Sequence, residues 1–459
     1  MAEQIEKLAQ FVAHTQWEDI PRPVQQRAHL VLLDTIGVML AGSIQPEVRR
    51  LHEGLNASAG TGATVFTHGW PITDAGRAAL LNGIAARSLE LGEMHDEVSA
   101  QAAVQIVPGL LAVAEAARCS GREILTALVV AYDFAIRVGA ATTRRPLAHP
   151  NGQASLLGAI AAGARARGLN AAQTSTAVRI GANLVVSAAY SNVVAGATTV
   201  NVAGGMSGFA AALAPELALA GFIAQDNAIE QAMTSLVSDG FDASHLLDEL
   251  GTRWEITHNH FRLRACCYPI YPALDALEDA LAELQPTPEA IERIEVVTYK
   301  FAAGMCNADP PTYFGSKYSL PHAAAALVAN GHLGYASFTE AALHHPLIAA
   351  LRHRVHVTED TAMSAALPRL KPARVTLTLK DGRQATHAYE NHRHVSESGN
   401  EANVREKFRE LAGLVLTPEG VTAVETAVDD CVNWPSVDPL LQALRGHGRR
   451  PPHLRSRSR

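Results

Sequence analysis

The chain has few cysteines and no excess of positive charge. It contains five cysteines among 459 residues, an odd number dominated by the adjacent pair Cys266-Cys267, and it has no CxxC or Cys/His spacing typical of a zinc site. This pattern argues against a disulfide framework and predicts a reducing compartment. The formal net charge of −7 leaves no basic face of the kind that nucleic-acid binding requires.

Long runs of strongly apolar residues are also lacking. The apolar stretches are rich in Ala and Gly and are interrupted by Asn, Arg or Ser, whereas a membrane span needs about twenty predominantly apolar residues. Residues 1–17 are too polar and acidic for a signal peptide. We therefore expect a cytoplasmic protein with neither a membrane nor a nucleic acid as its partner.

The apolar residues that are present follow two different periods. Helical spacing predominates in 1–264 and returns in 401–440, whereas 291–301 and 373–380 alternate as strands do. The sequence therefore predicts a mainly α protein with an all-helical domain at 1–264 and 401–440, an α+β domain at 265–400 and a disordered basic tail at 441–459. A ligand usually binds in the cleft between two such domains.

The stretch 81–116 places a polar segment between two apolar helices. Its polar residues are Glu90, Glu93, His95, Asp96, Glu97, Gln101 and Gln105. Buried helices fix the geometry of such a segment while the loop supplies side chains, so it is well placed to form the floor of a pocket. The alternative is a solvated loop between helices.

Charged residues within the helical runs are expected to be structural. Asp34 interrupts an apolar run and should cap or pair with a neighbouring helix rather than catalyse. Asp133 and Arg137 lie four residues apart, which predicts an ion pair on a helix surface.

His149 is the best candidate for a general base. It precedes Pro150 and a helix of small residues, and the positive end of a helix dipole lowers the pKa of an imidazole and favours its neutral form. The alternative is a histidine that caps this helix.

Several short motifs, in their order and spacing, resemble the MmgE/PrpD family from about residue 5 to about residue 430. They are Asp34-Thr35 with Gly37, Ala78 to Gly83 with the acidic segment after it, Pro108, His149-Pro150, Arg167-Gly168-Leu169, Ala265-Cys266-Cys267, Pro272-Ala273-Leu274-Asp275 and Tyr318-Ser319-Leu320-Pro321-His322. The family includes 2-methylcitrate dehydratases, cis-aconitate decarboxylases and iminodisuccinate epimerases. The resemblance implies a large all-helical domain with a smaller α+β lid domain, a pocket between them, a homodimer, and no metal or organic cofactor.

The chain also departs from the family pattern at several positions. Glu90, Gly92 and Glu93 replace aspartates, Gln101 and Tyr271 replace histidines, Arg262 replaces a lysine, and 199–203 lacks a lysine and a histidine that are usual there. His149 is retained. Because the lost groups hold carboxylates and protonate leaving groups, the departures predict a non-standard substrate or a weakened enzyme.

The resemblance implies proton abstraction beside a carboxyl group. We assign the base to His149 and the acid to Tyr318, Tyr271 or His95. Glu93 either takes part in catalysis, orients His95 or caps the next helix. We assign substrate binding to four residues, of which Arg262 is the carboxylate anchor. They are Arg262, Gln101, Tyr271 and Asn201.

Three functions remain open at this point. The first is a cofactor-independent lyase of the dehydratase or elimination type that acts on a small carboxylate or a secondary-metabolite intermediate. The second is an epimerase or isomerase of a dicarboxylate, which exchanges a proton without a leaving group. The third is a non-catalytic or weakened binding homologue.

Overall fold

The computed structural model describes residues 2–55, 62–95, 97–98, 100–393 and 400–449. These residues fall into two compact units. The helical unit draws on 1–189, 199–261 and 401–459, and the α+β unit on 190–198 and 262–400. Asp96 and residues 450–459, for which the sequence suggested a polar pocket residue and a disordered tail, lie outside the described residues.

The elements follow one another along the chain with helices predominating. Up to residue 260 they are α1 (Ala2–His14), α2 (Arg22–Gly42), α3 (Pro46–Leu55), β1 (Ala63–Thr64), β2 (Ile72–Thr73), α4 (Ala75–Arg87), β3 (Met94–His95), α5 (Ala103–Ala117), α6 (Gly121–Ala141), β4 (Thr142–Arg144), α7 (Ala154–Ala166), α8 (Ala171–Gly181), α9 (Tyr190–Val194), α10 (Val202–Leu219), α11 (Ala228–Gln231), β5 (Ser238–Phe241) and β6 (Asn259–His260). The later elements are α12 (Tyr271–Leu284), β7 (Ile291–Thr298), α13 (Lys300–Ala303), α14 (Tyr313–Ser316), α15 (Leu320–Asn330), α16 (Glu340–Leu343), α17 (Pro346–Arg352), β8 (Val355–Glu359), α18 (Thr361–Ala365), β9 (Ala373–Leu379), β10 (Gln384–Tyr389), α19 (Glu401–Ala412), α20 (Pro418–Asp429) and α21 (Asp438–Gly446).

The helical unit is built around α4, α5, α6, α7 and α10, whose inward faces are almost wholly buried. Its strands form only two-stranded ribbons, in which β1 pairs with β2, β3 with β6 and β4 with β5. The β3–β6 ribbon matters for the site, because it fixes His95 opposite Asn259.

Helices α4 and α10 pack backbone against backbone. A Cβ added at Gly83 would lie 2.3 Å from the carbonyl oxygen of Gly204, and one added at Gly208 would lie 2.5 Å from that of Ala79. Because α10 residue numbers fall as α4 numbers rise, the two helices run antiparallel. Small residues at these crossing points permit the close approach, and no methyl group fits there.

The α+β unit contains one four-stranded sheet of order β10-β9-β7-β8. The β7–β8 pair is parallel, and the β9–β10 and β7–β9 pairs are antiparallel. Buried residues alternate along β9, as the sequence pattern indicates, and α12 packs on β9 and β10. The chain as described confirms the predicted mainly α fold class with its smaller α+β part.

Three boundaries differ from those drawn on the sequence. The main part of the α+β unit begins at Arg262 rather than at residue 265. Helix α21 ends at Gly446 with Leu441 and Leu444 buried, so residues 441–446 are helical and do not belong to a tail. The segment 190–198, which lies within the helical part of the sequence, belongs to the α+β unit. There Thr312 donates a hydrogen bond to the carbonyl oxygen of Gly196 at 2.9 Å.

Within the described part of the chain, two helical stretches are long and apolar enough to cross a membrane, by length and composition alone. They are Gly121–Ala141 and Thr198–Leu219, and the bent pair α2–α3 would add a third if it formed one span. The protein buries 89% of the apolar window of the first stretch and 50% of that of the second. The sequence-based view that no run reaches this length and apolarity is therefore wrong, since these alanine-containing helices reach both.

Candidate functional site

His149 lies in the loop before α7 and is 4% exposed. Its Nδ1 accepts a hydrogen bond from the backbone N–H of Asn151 at 3.2 Å, and its Nε2 lies 3.5 Å from Nη2 of Arg87. Burial lowers the pKa of His149 to about 3, and the positive charges of Arg87 and Arg144 act in the same direction. The negative charge of Glu90 opposes them. The imidazole is therefore neutral at physiological pH.

The partners of the two ring nitrogens favour the same state. Both Asn151 and Arg87 present N–H donors, and a neutral imidazole offers one acceptor nitrogen whereas a protonated ring offers none. Protonation would thus set a donor against a donor on both sides of the ring. The neutral ring, which keeps one unprotonated nitrogen, is therefore the form that these partners favour.

Arg87 and Glu90 form a buried ion pair beside this histidine. Arg87, the last residue of α4, is 2% exposed and Glu90 is 4% exposed. The backbone of Glu90 has a left-handed φ of 56°, which is costly for a residue other than glycine and is seen most often at turns and functional sites. The turn holds the carboxylate of Glu90 against the guanidinium of Arg87.

An amide network joins Glu90 to the His149 loop. Gln101 donates to Oε2 of Glu90 at 3.4 Å, and Asn151 donates to Oε1 of Gln101 at 3.3 Å. Gln105 donates in turn to Oδ1 of Asn151 at 3.3 Å. We call this set the His149 cluster; its members are Arg87, Glu90, Gln101, Gln105, His149 and Asn151.

Glu93 is fully buried and accepts three hydrogen bonds. Tyr132 donates at 2.6 Å, the side chain of Asn259 at 3.0 Å and the backbone N–H of Ala103 at 2.7 Å. Burial raises the pKa of Glu93, and the three donors oppose this effect. Since Ala103 is the first residue of α5, the carboxylate of Glu93 occupies the cap position that the sequence left as one alternative.

His95 lies beside a second carboxylate. Its Nε2 is 3.4 Å from Oε2 of Glu255, and its Nδ1 accepts from the backbone N–H of Val98 at 3.3 Å. Although burial acts to raise the pKa of Glu255, the hydrogen bonds from His95 and Arg253 and the nearby arginine charges lower it to about 2. The His95 cluster, as we use the term, consists of Glu93, His95, Tyr132, Glu255 and Asn259.

The Asp133–Arg137 pair lies next to this second cluster and not on the surface. Both side chains are fully buried, and Nε of Arg137 is 3.1 Å from Oδ1 of Asp133. Burial raises the pKa of Asp133 to about 7 despite the charge of Arg137. The prediction of a surface ion pair is wrong because α6 is enclosed on the face that carries the pair.

The polar segment is also tied to the end of the helical unit. Nζ of Lys407, on α19, lies 2.6 Å from Oδ1 of Asp34 on α2 and donates to the carbonyl oxygen of Leu91. Asp34 thus pairs with another helix, as the sequence indicates. The same lysine fixes the backbone one residue beyond Glu90.

Asn201 directly precedes α10 and is 2% exposed. Neither Oδ1 nor Nδ2 of its side chain has a hydrogen-bond partner among the described residues. Its side chain does not cap the helix.

Three of the predicted residues lie in the α+β unit. Arg262, which is 1% exposed, donates to the carbonyl oxygen of Cys266, and its Nε lies 3.5 Å from the Tyr271 hydroxyl. Tyr271 donates to the carbonyl oxygen of Arg264 at 2.7 Å, and burial raises its pKa. The ring of Tyr318 packs against Phe314, with centroids 5.6 Å apart.

The structure thus distributes the predicted residues among several places. His149 and Gln101 share one cluster, Glu93 and His95 share the other, and Asn201 stands at the start of α10. Sequence reasoning missed Arg87, although a charged residue in the small-residue run of α4, three residues before Glu90, is a usable signal. It also missed Lys317, a buried lysine that donates to the carbonyl oxygen of Ala265 at 3.4 Å.

Two further features bear on the chemistry. Among the described residues no group of three or more His, Cys, Asp or Glu side chains could hold a metal ion. A surface cavity of about 450 Å³ lies in the helical unit between the start of α4, the end of α5 and α10, and its lining contains none of the predicted site residues.

Comparison with known proteins identifies the family. Models of the MmgE/PrpD N-terminal domain and of the MmgE/PrpD C-terminal domain match residues 6–244 and 265–432. The chain is also 24% identical, over 473 residues that cover 96% of this chain and 97% of the relative, to the cis-aconitate decarboxylase-like protein oryM of Aspergillus oryzae. These matches support a role of the dehydratase or lyase type. The chain belongs to the MmgE/PrpD family.

Proposed function

We propose that the protein is a cofactor-independent lyase that acts on a small carboxylate or a secondary-metabolite intermediate by removing a proton beside a carboxyl group. The observation that carries the proposal is the neutral, buried imidazole of His149 next to the guanidinium of Arg87. A base must be unprotonated before it can act, and a cation nearby stabilises the negative charge that develops on the substrate.

Arg87 gives this base a link to substrate binding. In the free protein the charge of Arg87 is one of the groups that lower the pKa of His149, which makes the imidazole a weak base. A substrate carboxylate bound beside Arg87 would offset that charge and raise the pKa of His149 towards its ordinary value. The base would then gain strength when the substrate is present.

The reaction requires one proton transfer to the enzyme and one from it. His149 takes the proton from the carbon beside the carboxyl group, and the electrons of that C–H bond form the new double bond as the leaving group departs. For a dehydration, an acid protonates the departing hydroxyl, which leaves as water. Tyr318, Tyr271 and His95 remain the candidates for the acid, Arg262 for a carboxylate anchor, and Glu93 for positioning α5.

Isotope exchange tests the proposal. The full-length protein is incubated in deuterated water with malate, citrate and cis-aconitate, and products are followed by NMR. An alkene formed from malate or citrate supports the proposed lyase. Carbon dioxide released from cis-aconitate supports a decarboxylase instead, since that reaction breaks a C–C bond and adds a proton to the carbon. Deuterium at the carbon beside the carboxyl group without a new product supports the epimerase instead, and binding with no reaction supports a non-catalytic homologue.

We also propose that the particle is a homodimer, as the family resemblance implies. Phe222 and Ile223, just after α10, are 59% and 94% exposed, and large apolar side chains so exposed favour association. Light scattering at micromolar concentration should give twice the mass of the chain. A monomeric mass would contradict this assembly.

A further inference from the structure

Asn201 carries a buried amide that no described protein group satisfies. The residue is 2% exposed, and both its donor and its acceptor lack a hydrogen-bond partner among the described residues. A buried polar group without a partner destabilises the fold, so its presence requires an explanation. An amide that supplies one donor and one acceptor is suited to a ligand group that offers one of each.

The packing of α4 against α10 places Asn201 near the His149 cluster. Ala79 lies against Gly208 and Gly83 against Gly204, so four residues along α4 correspond to four residues back along α10. Four residues beyond Gly83, the same antiparallel correspondence places Arg87 opposite the start of α10. Consistent with this, a Cβ at Gly204 would lie 3.0 Å from Cβ of Arg87.

The His149 loop reaches the same end of α10. A Cβ at Gly152 would lie 3.4 Å from Cβ of Ala203, two residues after Asn201. Gly152 also donates its N–H to Oε1 of Gln105 at 2.8 Å, within the amide network of the cluster. The start of α10 with Asn201, the end of α4 with Arg87 and the loop with His149 therefore lie at one end of the α4–α10 pair.

The charges at this end limit what can bind there. Arg87 is the cation of the cluster, Glu90 already faces it and His149 is neutral. One substrate carboxylate beside Arg87 is therefore the most negative charge that this end accommodates. A second carboxylate facing Asn201 would accept from Nδ2 but would set its negative charge against the acceptor Oδ1, whereas a carboxamide or a hydroxyl can both donate and accept.

We propose that Asn201 selects a substrate with one carboxylate and, facing Asn201, a neutral group that both donates and accepts a hydrogen bond, such as a carboxamide or a hydroxyl. This inference rests on the proposed function and names the substrate class of the same site. Asn201 is then a specificity-determining residue that weakens, without abolishing, the binding of substrates with a charged group at this position.

A pair of nearly isosteric acids provides the test. Succinate and succinamate differ in one terminal group, a carboxylate in the first and a carboxamide in the second. By titration calorimetry on the full-length protein, succinamate should bind about tenfold more tightly than succinate, the effect of one satisfied hydrogen bond and one avoided repulsion. Asn201→Leu, of similar volume without polar atoms, should reduce this preference to less than about twofold.

Asn227→Leu is the matched control, because Asn227 is exposed, and it should keep the wild-type preference. If wild-type protein binds both acids equally, or binds succinate more tightly, the inference is overturned while isotope exchange can still support the proposed function. If neither acid binds at millimolar concentration, the inference is also overturned, and the exchange assay then decides the function separately. Should Asn201→Leu not fold, the wild-type comparison and Asn201→Ser decide the matter.

Discussion

Two of the buried histidines of the helical unit, His149 and His95, lie beside charged groups of opposite sign. His149 faces the guanidinium of Arg87 at 3.5 Å, whereas His95 faces the carboxylate of Glu255 at 3.4 Å. The positive charge of Arg87 disfavours a protonated imidazole at His149, whereas Nε2 of His95 lies beside a carboxylate that can accept a hydrogen bond. The two imidazoles are similarly buried but lie in different electrostatic surroundings.

The clusters around these two histidines also differ in their hydrogen bonding. In the His95 cluster the carboxylate of Glu93 accepts three donors from three elements, so this cluster fixes the backbone. In the His149 cluster the ring is held by one backbone donor and one neighbouring cation, and Glu90 adopts a strained backbone beside it. The first arrangement supports the fold, and the second is suited to a reaction.

The largest expected effect is that of His149→Gln on activity. Loss of the general base should lower turnover roughly a hundredfold or more on the acid that gives the fastest reaction, while circular dichroism and the melting temperature show an intact fold. His68→Gln, at an exposed histidine, is the control and should keep full activity. A variant at 149 that is fully active, or that melts many degrees lower, would make His149 a structural residue.

Glu93→Ala should act mainly on stability. It leaves the Tyr132 hydroxyl, the Asn259 amide and the Ala103 N–H buried without their acceptor, which should cost about 2–3 kcal/mol in urea unfolding. Glu97→Ala, at an exposed glutamate, should leave the unfolding free energy within about 0.5 kcal/mol of wild type. Unchanged stability with lost activity would move Glu93 into the reaction and break the contrast drawn above.

The pH dependence of stability should distinguish wild type from His149→Gln. The pKa of His149 is lowered from 6.5 to about 3 on folding, so between these values the unfolded chain binds more protons than the folded one. The contribution of the neutral imidazole is therefore complete above about pH 6.5 and is lost as the pH falls towards 3. Between pH 7 and pH 5, wild type should lose about 2 kcal/mol relative to the variant.

Urea unfolding at the two pH values measures this difference, and the subtraction removes other groups such as Asp133. The pKa of Asp133 is raised to about 7, so its contribution changes in the opposite direction, stability falling as the pH rises from about 4 to 7. An equal loss in wild type and variant would show that His149 titrates at its ordinary pKa. The assignment of a neutral base would then be wrong.

The smallest expected effect is that of His95→Gln. Because His95 is held between Glu255 and Val98 and its amide replacement can keep a hydrogen bond, we expect turnover within about threefold of wild type. A loss as large as that of His149→Gln would instead identify His95 as the acid of the reaction.

The sequence predicts the fold well because the apolar spacing is long and regular. The alternation in β9 and the helical period of α1 and α19 each correspond to buried faces in the structure. Local pattern fails where burial depends on distant elements, as with Asp133 and Arg137, which look like a surface pair until α6 is enclosed. It also misses 190–198, which belongs to the α+β unit and accepts a hydrogen bond there from Thr312.

The site is less predictable for the same reason. His149 stands out because a histidine before a proline and a small-residue helix is a local signal. Arg87 does not, because only the fold brings its guanidinium to the imidazole sixty-two positions later in the chain. The capping role of Glu93 could be named from the sequence as an alternative, but its three donors could not.

The salt bridge between Asp34 and Lys407 can form only late in the synthesis of the chain. Lys407 is translated only after the entire α+β unit, so Asp34 and the Leu91 carbonyl wait for their partner while most of the chain leaves the ribosome. At about 5–20 residues per second this interval lasts on the order of tens of seconds. A nascent chain that stalls before α19 therefore leaves Asp34 without its ion-pair partner, and such truncated products are natural substrates for proteolysis.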